Sequence, residues 1–255
     1  MFGPKRFFVH EWVSVGILLL LSTWWFIFVA PFLWQKVTPA LPGFAAYFLW
    51  ASWVFLWVTM VTEPGIIPRK RVFEINGAVP EKFSAENLSI DPEGPVYKYC
   101  PTCEIYRPPR AHHCKHCNNC VLLFDHHWPY INSWIGKRNY RYFISLVLNL
   151  VFLGIVDVIG LWFFLFYDTD NEDHSSRSFI SDDSTILIIV IAISVFALIM
   201  TCLLCVLWFF HVSLWFTGET TTERLTKPAA GSKDEKVFWK QTKTLFDLKQ
   251  TLTLE

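Results

Sequence analysis

Apolar residues gather along this chain in four long runs separated by polar stretches. The first is WVSVGILLLLSTWWFIFVAPFLW, residues 12–34, and the second is FAAYFLWASWVFLWVTMV, residues 44–61. The third, YFISLVLNLVFLGIVDVIGLWFFLFY, fills residues 142–167 and holds one acid, Asp157. The fourth, ILIIVIAISVFALIMTCLLCVLWFFHVSLWF, fills residues 186–216. Each run approaches or exceeds the ~20 residues a helix needs to cross a hydrocarbon core. Helices of soluble proteins are shorter and keep a polar face, and the first run lacks the small-residue end of a cleaved signal. The pattern predicts an all-α polytopic membrane protein with four transmembrane helices. Asp157 is expected either near the membrane interface or against a polar interior. Cys202 and Cys205, inside the fourth run, are expected to be small packing residues.

The polar stretches orient these helices. Residues 168–184 carry six acids and one base, Arg177. The stretch between the second and third runs carries Arg69, Lys70, Arg71, Lys98, Arg107, Arg110, Lys137 and Arg138. Lys5 and Arg6 precede the first run, and further lysines lie between residues 227 and 249. The excess of bases on cytoplasmic segments places both termini and the long middle stretch in the cytoplasm, with the acidic loop on the lumenal side. Four regions follow. Residues 1–62 hold the cytoplasmic N-terminus and helices 1 and 2, and residues 63–141 form a cytoplasmic cysteine-rich module. Residues 142–216 hold helices 3 and 4 with the loop 168–184, and residues 217–255 form a cytoplasmic tail. Trp12, Trp34 and Trp215 fit an interfacial belt. The sequon Asn87-Leu88-Ser89 falls on the wrong side for glycosylation. Residues 236–252 have helical spacing, as an interfacial helix or as one packed on the cytoplasmic module.

Formal net charge is zero, so nothing in the charge balance calls for a nucleic-acid partner. Five of the seven cysteines lie within residues 100–120, in YCPTCEIYRPPRAHHCKHCNNC. Cys100 and Cys103 form one C-x2-C knuckle, and Cys114 and Cys117 form another. In a reducing compartment this spacing means zinc rather than disulfides. Two tetrahedral sites are expected, completed from Cys120 and the interleaved histidines. A nucleic-acid-binding finger fits less well, because the module is tied to membrane helices at both ends and lacks a basic recognition helix. Just beyond lies LLFDHHWPYINSW, residues 122–134, with Asp125, His126 and His127 in a row and tryptophans at 128 and 134.

The four runs, the cysteine-rich stretch after the second and the Asp-His-His sequence together resemble the DHHC protein S-acyltransferases, or palmitoyltransferases. Glu63-Pro64-Gly65 is similar to the family's Asp-Pro-Gly motif, and Thr220-Thr221-Thr222-Glu223 matches its Thr-Thr-x-Glu motif. Asn139 and Phe143 fall where the family carries Asn and an aromatic. The resemblance implies a first zinc on Cys100, Cys103, His113 and Cys120. It implies a second on Cys114, Cys117, His127 and a cysteine at the position held here by Trp134. It implies that His126 is the base for a nucleophilic cysteine, that Asp125 orients His126, and that Thr221 contacts Asp125. The nucleophile's position holds Trp128. Long-chain acyl-CoA is the implied donor, cysteines of cytoplasmic or membrane proteins the acceptors, and the ER, Golgi or plasma membrane the location.

An indole N–H donates a hydrogen bond and offers no nucleophile near neutral pH, so Trp128 cannot form a thioester. Trp134 cannot ligate zinc, which leaves His116, His126 or water for that corner. Several readings stay open at this point. The first is an S-acyltransferase whose residues 128 and 134 are truly cysteine, since UGA is read as Trp or as Cys under different genetic codes. The second is a natural pseudoenzyme, a membrane zinc scaffold. More remote are an unfamiliar nucleophile and a zinc hydrolase using an open coordination position.

Overall fold

Each apolar run folds as a helix, because a chain rich in large aliphatic side chains has no other way to satisfy its backbone within hydrocarbon. The computed structural model describes residues 9–69, 98–129, 133–166 and 184–227. The sequon at 87–89, the acidic loop over 168–183 and the tail at 236–252 lie outside the described residues. Helix α1 spans Val9–Phe32 and continues through a π-helical turn, Leu33–Val37, just after Pro31. Helix α2 spans Ala40–Val61, α3 Tyr140–Phe166 and α4 Ser184–Thr217. Among the described residues three segments, Ala40–Val61, Tyr140–Phe166 and Ile188–Thr217, are long and apolar enough to cross a membrane.

The chain divides into two units. The helical unit comprises residues 9–59 and 141–212. Its core joins Trp25, Val29 and Leu33 of α1 and its extension to Ala45 of α2 and to Leu153, Val156 and Leu161 of α3. Two glycines of α3 permit close approach. A Cβ at Gly154 would lie 2.5 Å from Thr201 Oγ1, and one at Gly160 would lie 2.9 Å from both Leu33 and Trp25. Polar side chains in the helices turn back on their own backbone: Asn149 donates to the Ser145 carbonyl (2.7 Å) and Thr201 to that of Ala197 (2.8 Å). Such bonds satisfy a hydroxyl or amide without water. The outer faces expose Trp57, Trp162, Leu203, Val206 and Phe209, a surface suited to lipid. Cys202 is among the exposed residues and Cys205 is half-buried, so a packing role fits the second better than the first.

The second unit adds what the apolar pattern could not predict: among the described residues, seven short strands and a short helix. Strands β1 (Ile66–Ile67), β4 (His112–Cys114) and β5 (Asn119–Val121) form one sheet with β5 central. Strands β2 (Lys98–Cys100) and β3 (Ile105–Arg107) pair, as do β6 (His126–Trp128) and β7 (Ser133–Ile135). Helix α5 spans Thr221–Thr226. The residue after each knuckle, Glu104 and Asn118, has a left-handed backbone with φ of 56° and 55°, the same turn built twice.

The segment Glu63-Pro64-Gly65 braces this unit. The Glu63 carboxylate accepts from the Gly65 N–H at 2.7 Å, from that of Ile66, and from Arg138. Gly65 is left-handed at φ 108°, and its carbonyl receives the Leu122 N–H at 2.8 Å. Gly136 packs so closely that a Cβ there would lie 2.6 Å from the Pro64 carbonyl. Asn139, fully buried, accepts from the Gly136 N–H (2.9 Å) and donates to the Trp134 carbonyl (2.7 Å).

Candidate active site and metal centres

Strand alternation explains how two metal centres interleave in so short a sequence. Successive side chains of a strand point to opposite faces, so neighbouring residues His113 and Cys114 serve different sites. His113 lies directly across from Cys120 in the β4–β5 pair, which sets two ligands side by side. The β2–β3 hairpin brings Cys100 and Cys103 to them, and the four ligand atoms all lie within 4.8 Å of one another. The His113 Nδ1 is 3.5, 3.4 and 3.7 Å from the three sulfurs. Zinc at about 2.3 Å from sulfur and 2.05 Å from nitrogen in a tetrahedron gives a sulfur–nitrogen edge of about 3.6 Å. The four residues fit zinc, with three sides of the tetrahedron in place.

The second group is Cys114, Cys117 and His127, with His127 Nδ1 3.5 Å from Cys117 Sγ. In the β6–β7 pair His127 lies directly across from Trp134. The residue facing His127 is thus an indole, which offers no donor to a metal. Trp134 packs against Cys114, Val121 and Cys117, and among the described residues its buried N–H has no hydrogen-bond partner. The hydrogen bond between the two thiols, aided by the Cys117 and His116 backbone N–H groups, holds Cys114 well below the usual thiol range against the effect of burial. The same shared bond, together with burial, drives Cys117 up. His116 stacks on the His127 ring with centroids 5.0 Å apart. Among the described residues neither His116 nor His126 joins the three ligands. The donor set fits three-quarters of a tetrahedral zinc site.

The alternation of β6 also separates metal from chemistry. His127 faces the metal group, while His126 and Trp128, two residues apart, share the other face. Asp125 is 1% exposed. Its Oδ2 meets His126 Nδ1 at 2.7 Å and accepts from the Thr221 hydroxyl at 2.7 Å, and its Oδ1 accepts from the Thr221 N–H at 2.8 Å. The Asp125 carbonyl accepts from the Thr222 N–H at 3.1 Å. Burial raises the Asp125 carboxyl, but the bonds from His126 and Thr221 outweigh it and hold the group below the usual carboxylate range. A lowered carboxyl contributes stability above its unfolded value, ~3.9. That contribution is lost only as pH falls through the lowered folded value. Across the neutral range Asp125 is therefore ionised.

Sequence reasoning missed the residue that fixes Thr221. Arg110, on the β3–β4 loop, grips Glu223 with two bonds of 2.6 Å and the Gly218 carbonyl with one of 2.7 Å. Both side chains are buried, at 8% and 6% exposure. Glu223 also closes a capping box with Thr220, accepting from the Thr220 N–H at 2.8 Å. The Thr-x-x-Glu spacing signals such a box. The arginine, 113 residues away in sequence, carries no such signal. Removing one partner of a buried pair costs about 3–5 kcal/mol, so Arg110→Ala should lower the unfolding temperature of the purified protein sharply. Arg110→Met with Glu223→Gln, which keeps the capping box, should cost less than Arg110→Ala alone. Equal losses would show that the unpaired acid is not what matters.

The DHHC palmitoyltransferase profile matches residues 95–228, more than half of the chain. The chain belongs to that family. It is 38% identical over 158 residues to palmitoyltransferase ZDHHC9 of Bos taurus, which covers 56% of this chain and 44% of that protein. It is 35% identical over 158 residues to ZDHHC14 of Homo sapiens, covering 56% and 32%. Against ZDHHC18-B of Danio rerio it is 36% identical over 162 residues, covering 55% and 40%. The chain thus spans less than half the length of these relatives. Its helices and family together make it an integral membrane protein with a cysteine-rich, metal-binding cluster.

Proposed function

We propose that this chain carries the site of a protein S-acyltransferase from which the reacting thiol is missing as written, because residues 128 and 134 stand for cysteines. The observation that carries this reading is the clamp on Asp125. A buried carboxylate held by Thr221 and aimed at His126 is costly to build, and it sets the His126 ring as a base beside position 128 would need. With a thiol at position 128, His126 takes its proton and the thiolate attacks the thioester carbon of a long-chain acyl-CoA. A new sulfur–carbon bond forms as the CoA sulfur departs as a thiolate. A cysteine of a substrate protein then takes the acyl group in a second exchange of the same kind, and the thiol at position 128 is regenerated. Asp125 fixes the His126 ring and stabilises its charged form. Zinc, when bound, ties the strands together and supplies no step. The test is a mass spectrum of the native peptide covering residues 121–137. Cysteine at both positions supports the reading, and tryptophan at both favours the pseudoenzyme.

Trp134 offers a second observation. A buried N–H without a partner costs about 1–3 kcal/mol, which an evolved scaffold would have had reason to shed. This weighs against a long-standing pseudoenzyme and favours cysteine. The zinc hydrolase reading loses ground for the same residue, since an indole packs against the Cys114 and Cys117 side of this group.

The proposed setting is a four-span protein of the endomembrane system or plasma membrane, with α1 as the first span and the metal-binding module cytoplasmic. Protease added to sealed vesicles should cleave within residues 63–140 and leave residues 168–184 intact. Cleavage of both from one side would overturn that topology.

A further inference from the structure

Helix α2 turns its small residues inward and its large rings outward. Ala45, Ser52 and Thr59, spaced by seven, are 0%, 1% and 0% exposed. The opposite face carries Tyr47, Trp50 and Trp57, at 57%, 65% and 66% exposure, in line with Gly43 and Val54. These positions recur every three or four residues, so they form one stripe along about four turns of helix. Lipid tails are met as well by leucine or valine, so contact with lipid alone does not call for large polar-tipped rings.

Two of those rings carry polar atoms deep within the span. Trp50 lies about 15 Å along the axis from the start of α2 at Ala40, the middle of a hydrocarbon core ~30 Å thick. Tyr47 lies about 10 Å from the same end. Among the described residues neither the Trp50 N–H nor the Tyr47 hydroxyl has a hydrogen-bond partner. Tryptophan and tyrosine favour the membrane–water interface, where their polar edges reach water or headgroups. At this depth neither is in reach, and an unmet polar group costs free energy. Trp57, about 25 Å from Ala40, is close enough to the other interface to meet headgroups.

We propose that this face of α2 pairs with the same face of a second copy of the chain. Copies in one membrane share one topology, so a two-fold axis along the membrane normal sets the two α2 helices parallel, stripe against stripe. In such a pair residue i of one copy meets residue j of the other, and the reverse holds. Trp50 follows Tyr47 by three residues on one helix face, so each Trp50 N–H donates to the oxygen of the partner's Tyr47. One unmet donor and one unmet acceptor per copy close as two identical bonds. A lipid tail offers the Trp50 N–H no acceptor, and a sterol hydroxyl stays at the interface. Nothing lies within 4 Å of where a Cβ at Gly43 would stand, so the backbones can close at that end. The area suffices. At roughly 200 Å² per aromatic side chain, the exposed parts of Phe44, Tyr47, Trp50 and Trp57 come to roughly 500 Å² per copy. Two copies bury roughly 1,000 Å², where specific interfaces begin. The pairing is independent of what residue 128 is.

The test uses the full chain, dye-tagged and reconstituted in liposomes over a range of densities, with copies counted by single-molecule photobleaching. Two-step bleaching should come to dominate as density rises. Trp50→Phe and Tyr47→Phe each keep a ring and remove one end of both symmetric bonds. Each should weaken pairing by about tenfold, the scale of two interhelical hydrogen bonds in lipid. The double variant should be no weaker than either single one, because the same bonds are lost. Trp162→Phe, on the exposed side of α3, should change nothing. A benzophenone amino acid in place of Val54 should cross-link to residues 47–57 of the other copy, as mapped by peptide mass spectrometry. Single-step bleaching at every density would overturn the proposal. So would pairing that neither ring variant weakens, losses that add in the double variant, or cross-links that map to lipid alone or to another helix. The cross-link is read with both rings intact, so it decides the matter even where a ring variant fails to fold.

Discussion

Incubated with a labelled long-chain acyl-CoA, the chain as written should take up no hydroxylamine-sensitive label, because no thiol stands beside His126. Trp128→Cys alone should give little, since the hairpin that carries position 128 is anchored on its other face through His127 to a metal group short of one ligand. Trp128→Cys with Trp134→Cys should restore labelling. In that doubly altered protein, Asp125→Ala or His126→Ala should slow acylation by about a hundredfold or more, the scale of general-base assistance. Thr221→Val should slow it less, because the Thr221 N–H still reaches Asp125. Strong label on the unaltered chain, mapped away from cysteine, would sink the assignment of position 128. A double variant that holds two zincs yet takes no label would favour a pseudoenzyme whose acyl pocket has also been lost.

Metal content should divide just as sharply. After mild chelation the unaltered protein should retain close to one equivalent of zinc, on Cys100, Cys103, His113 and Cys120. The group of Cys114, Cys117 and His127 offers one donor fewer and should lose its metal to the chelator. Cys103→Ser should remove most of the retained metal, and Trp134→Cys should raise it towards two. Two equivalents held by the unaltered protein would mean that some residue other than Trp134 closes the second site.

Much of this could be read from residue order alone. Runs of 18 to 31 apolar residues declare helices whatever packs beside them, and the observed helices begin and end within four residues of those runs. The paired knuckles declare metal because their spacing is local. The strands were not legible. Elements of two or three residues have no period to detect, and their pairing shows only once the candidate ligands and the Glu63–Gly65 brace are seen together. The grip of Arg110 on Glu223 and that of Arg138 on Glu63 join residues 113 and 75 apart, and a single sequence gives no sign of such partners. Asp157 stood out as one acid in an apolar run, but only the fold showed that it lines a cavity among α1, α3 and α4.

The clamp on Asp125 has a consequence for how the protein is made. Thr221 follows Asp125 by 96 residues, and α3 and α4 lie between them in the chain. At roughly 5–20 residues per second, a ribosome needs about 5–20 s after making the Asp-His-His strand before it makes the threonine that holds it. Throughout that interval the carboxylate lacks its buried partner, so a nascent chain stalled or truncated before residue 221 holds an unfastened site. The clamp can close only once the chain has been made beyond α4, so the Asp-His-His strand waits on both intervening helices for its partner.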